Sequence, residues 1–234
     1  RAGVEALESL LARRSVKMTG YRTPDVKERL AYNFDDRAEF PIEPGCVDPR
    51  LVCRALDEIV PTDISVATSS GAVGGFTNML FNRPRPMVLT SHFFGCIGQM
   101  LPAAMGAIMA TGNKPMMLVD GDASVIMHLA DFDTAVRYHL PLLAVVLNDQ
   151  ALGSEYHHMR AHHLNAELAT NPTPDLGVLA MGFGGKGCLA RSVEEVRAAA
   201  AGWAEKPCPM IIDVRISRNV VTLPIRRIDY ARDE

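Results

Sequence analysis

Five short apolar runs follow residue 60, and most are continuous rather than alternating: Ile64–Thr68, Met87–Thr90, Pro115–Asp120, Leu142–Asn148 and Met210–Ile216. A strand with one wet face must alternate apolar and polar residues, because successive side chains point to opposite faces. Continuous runs describe strands buried on both faces, the pattern of a parallel sheet covered by helices. Helical stretches fall between the runs at about 97–111, 127–138, 174–181 and 192–204. Another opens at Asp48-Pro49, with Asp48 as N-cap, Pro49 as first helical residue, and Val52, Leu56, Ile59 and Val60 as its apolar positions. The sum is an α/β fold, a doubly wound, mostly parallel sheet flanked by helices.

The start of the chain has a different texture. Residues 1–14 read as a short amphipathic helix with Val4, Leu7, Leu10 and Leu11 at helical spacing. Residues 15–48 are polar and contain Pro24, Pro41 and Pro44, as a linker does. The expected division is a helix and linker over 1–46, the tail of a preceding domain, and the α/β domain over 47–234. Net charge is −3 and the pI about 6.2, so there is no basic field for nucleic acid. Mean hydropathy is only +0.06, and no apolar run approaches the ~18–20 residues of a membrane span. The opening Arg-Ala-Gly-Val-Glu lacks the basic-then-apolar pattern of a signal peptide. Five scattered cysteines (46, 53, 96, 188, 208) form no CxxC pair and read as reduced thiols. Together these features set the expectation of a cytoplasmic protein.

In doubly wound sheets ligands bind beyond the C-terminal strand ends. The residues there are Ser69–Gly75, Ser91–Gly95, Gly121–Ser124 and Asn148–Gly153. Glycines let a backbone approach an anion closely, and carboxylates hold a hard cation. Asp122 sits where a strand hands over to a helix N-terminus. By itself it reads as a plain N-cap. Asp149 follows 27 residues later, about the length of a parallel βαβ crossover, which places both carboxylates at neighbouring strand ends. Two carboxylates, a backbone carbonyl and phosphate oxygens satisfy octahedral Mg²⁺. This set suggests a diphosphate ester with magnesium.

Gly121-Asp122-Ala123-Ser124, followed at that spacing by Asn148-Asp149, resembles the signature of thiamine diphosphate enzymes of the acetohydroxyacid synthase, pyruvate decarboxylase and benzoylformate decarboxylase group. Two further strings agree: Ser91–Ala107, with its Leu-Pro-Ala-Ala-Met-Gly-Ala ending, and Thr134–Pro141. The resemblance covers residues 47–217. It implies that Asp122 and Asp149 bind Mg²⁺ by side chain and Ala151 by its carbonyl. It assigns the diphosphate to Ala123, Ser124 and the Gly71–Gly74 turn, which includes Ala72 and Val73. Ile97 would lie under the thiazolium, with Gly95 and Cys96 beside the pyrimidine. Gly121, Leu152, Gly153 and Ser154 complete the cofactor-binding set. The reaction implied is cleavage or formation of a C–C bond next to a carbonyl, with decarboxylation of a 2-oxo acid as the leading case.

Departures from the family narrow the expectation. The glutamate that protonates the cofactor pyrimidine belongs to a separate pyrimidine-binding domain, expected on a longer chain or on another chain. The resemblance therefore implies a homodimer or homotetramer. The acceptor-site tryptophan of acetohydroxyacid synthases is replaced by His158, and a Gln-His pair by Ala72-Val73. Glu155, with His157 and His158, is the candidate acid–base group. The spacing of His157, His158, His162 and His163 favours solvated or substrate-facing side chains over a metal cluster. Cys96 reads as a small buried residue, and Met105, Met109, Met116, Met117 and Met127 as core. The alternatives are another thiamine diphosphate lyase, of acyl-CoA or dione type, and a non-catalytic cofactor-binding subunit. A nucleotide-binding Rossmann protein is disfavoured because no GxGxxG follows a first strand.

Overall fold

A computed structural model describes residues 2–14, 23–26, 36–84, 87–90 and 94–230. Two compact units are present, residues 1–35 and 36–234. The first contains helix α1 (Ala2–Arg13), which has no buried residue. Most of the expected linker, residues 15–22 and 27–35, lies outside the described residues.

The second unit begins at Asp36, earlier than the expected division after residue 46. Residues 36–46 are stitched to it by charge and stacking. Asp36 pairs with Arg50 at 3.5 Å and Arg226 at 2.5 Å, and both guanidinium groups also lie over the Phe40 ring. Helix α2 (Pro49–Ile59) starts as its sequence requires. The Asp48 carboxylate accepts from the Arg50 N–H at 2.8 Å, and Pro49 occupies the first turn, where its missing N–H costs nothing.

The remaining elements alternate: β1 (Ser65–Thr68), α3 (Gly71–Leu80), β2 (Val88–Thr90), α4 (Met100–Ala110), β3 (Met116–Gly121), α5 (Asp122–Met127), α6 (Phe132–Arg137), β4 (Leu142–Asn148), α7 (Gly153–Ala161), α8 (Leu176–Gly182), β5 (Lys186–Ala190), α9 (Val193–Glu205) and β6 (Met210–Arg215). The strands form one parallel sheet in the order β2-β1-β3-β4-β6-β5. Continuous apolarity in β4 has the cause inferred from sequence, since all seven of its residues are buried. Leu143, Val145 and Leu147 pack with α2, α3 and α9 on one face. Leu142, Ala144 and Val146 pack with α4, α5, α6 and α8 on the other. Each fully buried Leu or Val contributes about 1.5–3 kcal/mol over exposure.

Several elements differ from the sequence reading. The turn expected at Gly71–Gly74 is the start of helix α3. Its glycines serve close packing: a Cβ on Gly74 would lie 2.6 Å from the Ser69 carbonyl oxygen, and one on Gly75 2.9 Å from Thr222. The single helix expected at 127–138 is α5, a short 3₁₀ turn (Leu129–Asp131) and α6, broken at His128. Strand β5 carries no continuous apolar run. It is an edge strand whose Gly187 lies against the Gly177 backbone of α8, and a Cβ on Gly187 would overlap the Gly177 carbonyl. Met109 and Met127 are exposed, whereas Met105, Met116 and Met117 are core. Among the described residues no helix is long and apolar enough to cross a membrane.

This packing sets a test. A Cβ on Gly177 would lie 2.6 Å from Cys188 backbone atoms, so Gly177→Ala destabilises by about 1–3 kcal/mol through overpacking. Gly106 in α4 has nothing within 4 Å of its would-be Cβ, so Gly106→Ala is neutral or stabilising through helix propensity. Urea unfolding of the two variants measures the contrast.

Candidate active site

The sheet order reverses between β1 and β3, since β2 lies to one side of β1 and β3 to the other. A crevice opens at such a switch point beyond the C-terminal strand ends. A cavity of about 290 Å³ is found there, lined by Ser70–Val73 after β1, Gly121–Ser124 around the end of β3, and Asp149 and Ala151–Glu155 after β4. Gly95 and Ile97 come from the turn before α4, and Ile216, Ser217 and Val220 from beyond β6.

The register of β3 on β4 pairs Gly121 with Leu147, which brings Asp122 and Asp149 to the same end of adjacent strands. Asp122 is buried. Burial, reinforced by the charge of Asp149, pushes its carboxyl up to about 8. Burial also raises Asp149, to about 6. Arg218 opposes this rise only from a distance, because its guanidinium donates to the backbone carbonyls of Asp149 and Gln150. Gln150 adopts φ 56°, the left-handed turn that lets both Asp149 and Ala151 border the cavity. The Ala151 N–H donates to Asp149 Oδ1 at 3.0 Å. Among the described residues no backbone N–H bonds the Ala151 carbonyl. Gly153 must lack a side chain, since a Cβ there would lie 2.6 Å from Asp149 Oδ2.

Helices α3, α5 and α7 all begin at this cavity, and none has a side-chain cap. Of the helices that begin elsewhere, α2, α8 and α9 are capped by Asp48, Asp175 and Ser192, while α4 and α6 have no side-chain cap. Helix dipoles at the three converging N-termini favour a bound anion, with the Asp122 and Ala123 N–H groups of α5 already turned toward the Asp122 carboxylate. The cavity thus joins an anion-binding rim to two carboxylates, the demand made by a metal–diphosphate pair.

A buried polar chain supports the carboxylates from behind. Asn148 Nδ2 donates to Asp213 Oδ1 at 2.9 Å, and Asp213 Oδ2 accepts from the Leu176 N–H at 2.9 Å. Asn148 Oδ1 accepts from the Gln150 N–H and from Thr173 Oγ1, and the Thr173 hydroxyl also reaches Asp122 Oδ2 at 3.3 Å. Ser124 plays a similar part. It donates to Asp120 Oδ2 at 2.7 Å and accepts from the Gly98 N–H at 2.8 Å, tying the pre-α4 turn to β3. Its hydroxyl proton is committed to Asp120, so a phosphate at Ser124 would meet the backbone N–H rather than a free hydroxyl donor. Burial raises Asp120 to about 6 against these bonds. Asp120, Thr173 and Asp213 were not singled out in the sequence. Each is a polar residue inside or beside an apolar run, and that is the signal that marks them.

Most of the sequence-derived residues meet in this cavity: Gly71, Ala72, Val73, Gly95, Ile97, Gly121, Asp122, Ala123, Ser124, Asp149, Ala151, Leu152, Gly153, Ser154, Glu155 and His157. Gly74, Cys96 and His158 do not line it. Gly74 packs on Ser69. Cys96 is exposed rather than buried, and its carbonyl accepts from Ser70 Oγ at 3.2 Å. His158 turns to Asp229, with Nδ1 to Oδ1 at 3.0 Å. His157 borders the cavity but is buried, with Nδ1 3.3 Å from the Tyr230 hydroxyl, and burial lowers its pKa. Residues 91–93 of the expected pyrimidine segment lie outside the described residues.

A family model described as thiamine pyrophosphate enzyme, C-terminal TPP binding domain, matches residues 70–214, well over half of the chain. The chain belongs to the thiamine pyrophosphate enzymes. It is 28% identical over 237 residues to a probable acetolactate synthase 2, chloroplastic, from Oryza sativa subsp. japonica, covering 96% of this chain and 35% of that protein. It is 25% identical over 205 residues to a sulfoacetaldehyde acetyltransferase from Alcaligenes xylosoxydans xylosoxydans, covering 79% of this chain and 33% of that protein. The fold is shared with a benzoylformate decarboxylase from Polynucleobacter necessarius, at TM-score 0.68 and 20% identity, over 81% of this chain and 36% of that one. The chain spans about a third of the length of these relatives.

Asp122 contributes to the pH dependence of stability. Asp122 moves from 3.8 unfolded to about 8 folded, so the folded state holds its proton more tightly. The stability this provides is present below pH ~4 and is lost as pH rises toward ~8. Thermal unfolding in the presence of a chelator shows that decline from this site, and Asp122→Asn flattens it because the amide carries no proton to lose.

Proposed function

We propose that this chain binds thiamine diphosphate through Mg²⁺ and supplies the diphosphate half of an active site that breaks or makes a C–C bond next to a carbonyl. The observation that carries the reading is the meeting of Asp122 and Asp149 with three uncapped helix N-termini on one cavity. The fit follows from the donor set. Two buried carboxylates held near each other repel unless a cation lies between them, and the Gly153 position leaves the space beside Asp149 Oδ2 open. Asp122, Asp149 and the Ala151 carbonyl would hold the metal. The N-termini of α3, α5 and α7 would hold the diphosphate.

Bound thiamine diphosphate supplies a carbon nucleophile and an electron sink for cleaving the bond beside a carbonyl. The chain's own residues position and shield. Ile97 and Val73 offer an apolar wall to the ring system, and Glu155 stands at the rim where it can hold or deliver a proton. His157, its pKa lowered by burial, stays neutral near pH 7 and anchors α7. A 2-oxo acid is the proposed substrate class. The carboxylate acting on the pyrimidine would come from a pyrimidine-binding domain, on a longer form of this chain or on a partner, in a dimer or tetramer. The names of the relatives, acetolactate synthase and sulfoacetaldehyde acetyltransferase, support a ligation or transfer outcome after cleavage.

Titration calorimetry of the protein with thiamine diphosphate, with and without Mg²⁺, tests the assignment. Binding is expected only with Mg²⁺, and Asp122→Ala abolishes it. Asp213→Asn, which leaves the shape but removes a charge-assisted bond to Asn148, weakens Mg²⁺ by about 10–100-fold, as losses behind metal ligands do. Metal-independent binding, or binding untouched by Asp122→Ala, would contradict the assignment.

A further inference from the structure

Outside the cavity, the structure gathers three metal-ligating side chains from distant parts of the sequence. His158 and His162 lie one turn apart at the end of α7, with ring centroids 4.5 Å apart. Asp229 comes from the π-helical turn Arg226–Tyr230. Its Oδ1 lies 3.0 Å from His158 Nδ1. One ligand atom from each of the three residues falls within 4.8 Å of the others.

We propose that His158, His162 and Asp229 bind a divalent first-row transition metal, with Zn²⁺ the type ion, which staples the C-terminal turn to helix α7. A tetrahedral zinc with bonds of about 2.0–2.2 Å holds its ligands about 3.3–3.5 Å apart. The His158–Asp229 pair is already at that scale, and His162 is exposed, so rotation of its side chain closes the remaining gap. Two imidazoles and one carboxylate select zinc, cobalt or nickel over magnesium, which prefers oxygen ligands alone. A bare ion pair accounts for His158 and Asp229 but not for a second imidazole set against the first. The sequence concealed this arrangement. His157 and His163 obscure the i, i+4 pair, and Asp229 is 71 residues away from His158. His157 instead faces Tyr230.

The location gives the staple a consequence. Helix α7 carries Glu155 and His157 on the cavity wall. The Arg226–Tyr230 turn already holds α7 at two adjacent residues, where the Tyr230 hydroxyl donates to the His157 carbonyl at 3.2 Å and Asp229 pairs with His158 at 3.0 Å. A metal that also takes His162 extends this hold one turn further along α7 and locks the cavity wall to the Arg226–Tyr230 turn. This site shares no ligand with Asp122 and Asp149, so the inference stands whether or not the cofactor assignment holds.

Calorimetry with ZnCl₂ on the protein in saturating Mg²⁺, in a Cys96→Ser background to remove an exposed thiol, is the test. One Zn²⁺ per chain is expected, and Co²⁺ in its place gives the visible absorption of a four- or five-coordinate site. His162→Ala leaves the His158–Asp229 pair intact yet weakens Zn²⁺ at least about tenfold, while the control His163→Ala leaves binding unchanged. Zn²⁺ also slows amide hydrogen exchange over residues 223–230. No stoichiometric Zn²⁺, or equal affinity in His162→Ala, overturns the site. Binding that leaves exchange over 223–230 unchanged overturns the staple.

Discussion

Two carboxylates at the ends of adjacent parallel strands are the constraint on which the rest of the molecule depends. The pairing of Gly121 with Leu147 fixes where Asp122 and Asp149 emerge. Burial then pushes both carboxyls upward, and the Asp149 charge adds to the rise at Asp122. Buried like charges are costly unless a counter-charge joins them. The surrounding sequence acts to keep the two acids in place rather than to neutralise them. Thr173 touches Asp122 and Asn148 together, Asn148 is gripped by Asp213, and Asp213 is fixed by the first turn of α8. This arrangement keeps two buried acids close together at the expense of stability, a trade seen where function needs a preset geometry.

The sheet makes that geometry rigid. Strand β4 is buried on both faces, with one half of its side chains in each core. It cannot slide by one residue without placing each side chain in the wrong core. A loop leaving so fixed a strand can hold Gln150 at a positive φ and return Asp149 and Ala151 to one cavity. Loops on a rigid scaffold are the usual place for chemistry.

Much of this was legible in the sequence, and the parts that were not share physical causes. Continuous apolar runs revealed the four inner strands, β1, β3, β4 and β6, because burial on both faces leaves a one-dimensional trace, and the run of the edge strand β2 was read with them. Asp122 and Asp149 were legible because a βαβ crossover has a characteristic length. Strand β5 left no such trace: it lies at the edge and is built around Gly187, chosen for contact with α8 rather than for strand propensity. Helix α3 was hidden for the same reason, since Gly74 and Gly75 suggest a turn to local reasoning but answer to tertiary packing. His158 read as a candidate acid–base group, yet a helix turns adjacent residues about 100° apart. His157 and His158 therefore diverge, one toward the cavity and the other toward Asp229. Pairings such as Asp229 with His158, or Asp213 with Asn148, join residues too far apart for any local pattern to signal.

The central claim is that one cation joins the two carboxylates to a diphosphate. Phosphorus NMR of thiamine diphosphate bound to the protein, with Mn²⁺ replacing Mg²⁺, tests it most directly. A paramagnetic ion held by Asp122 and Asp149 broadens both phosphorus resonances strongly, and Asp149→Asn removes the effect. Sharp phosphorus lines from bound cofactor, with Mn²⁺ also bound, would place metal and diphosphate apart and contradict the account.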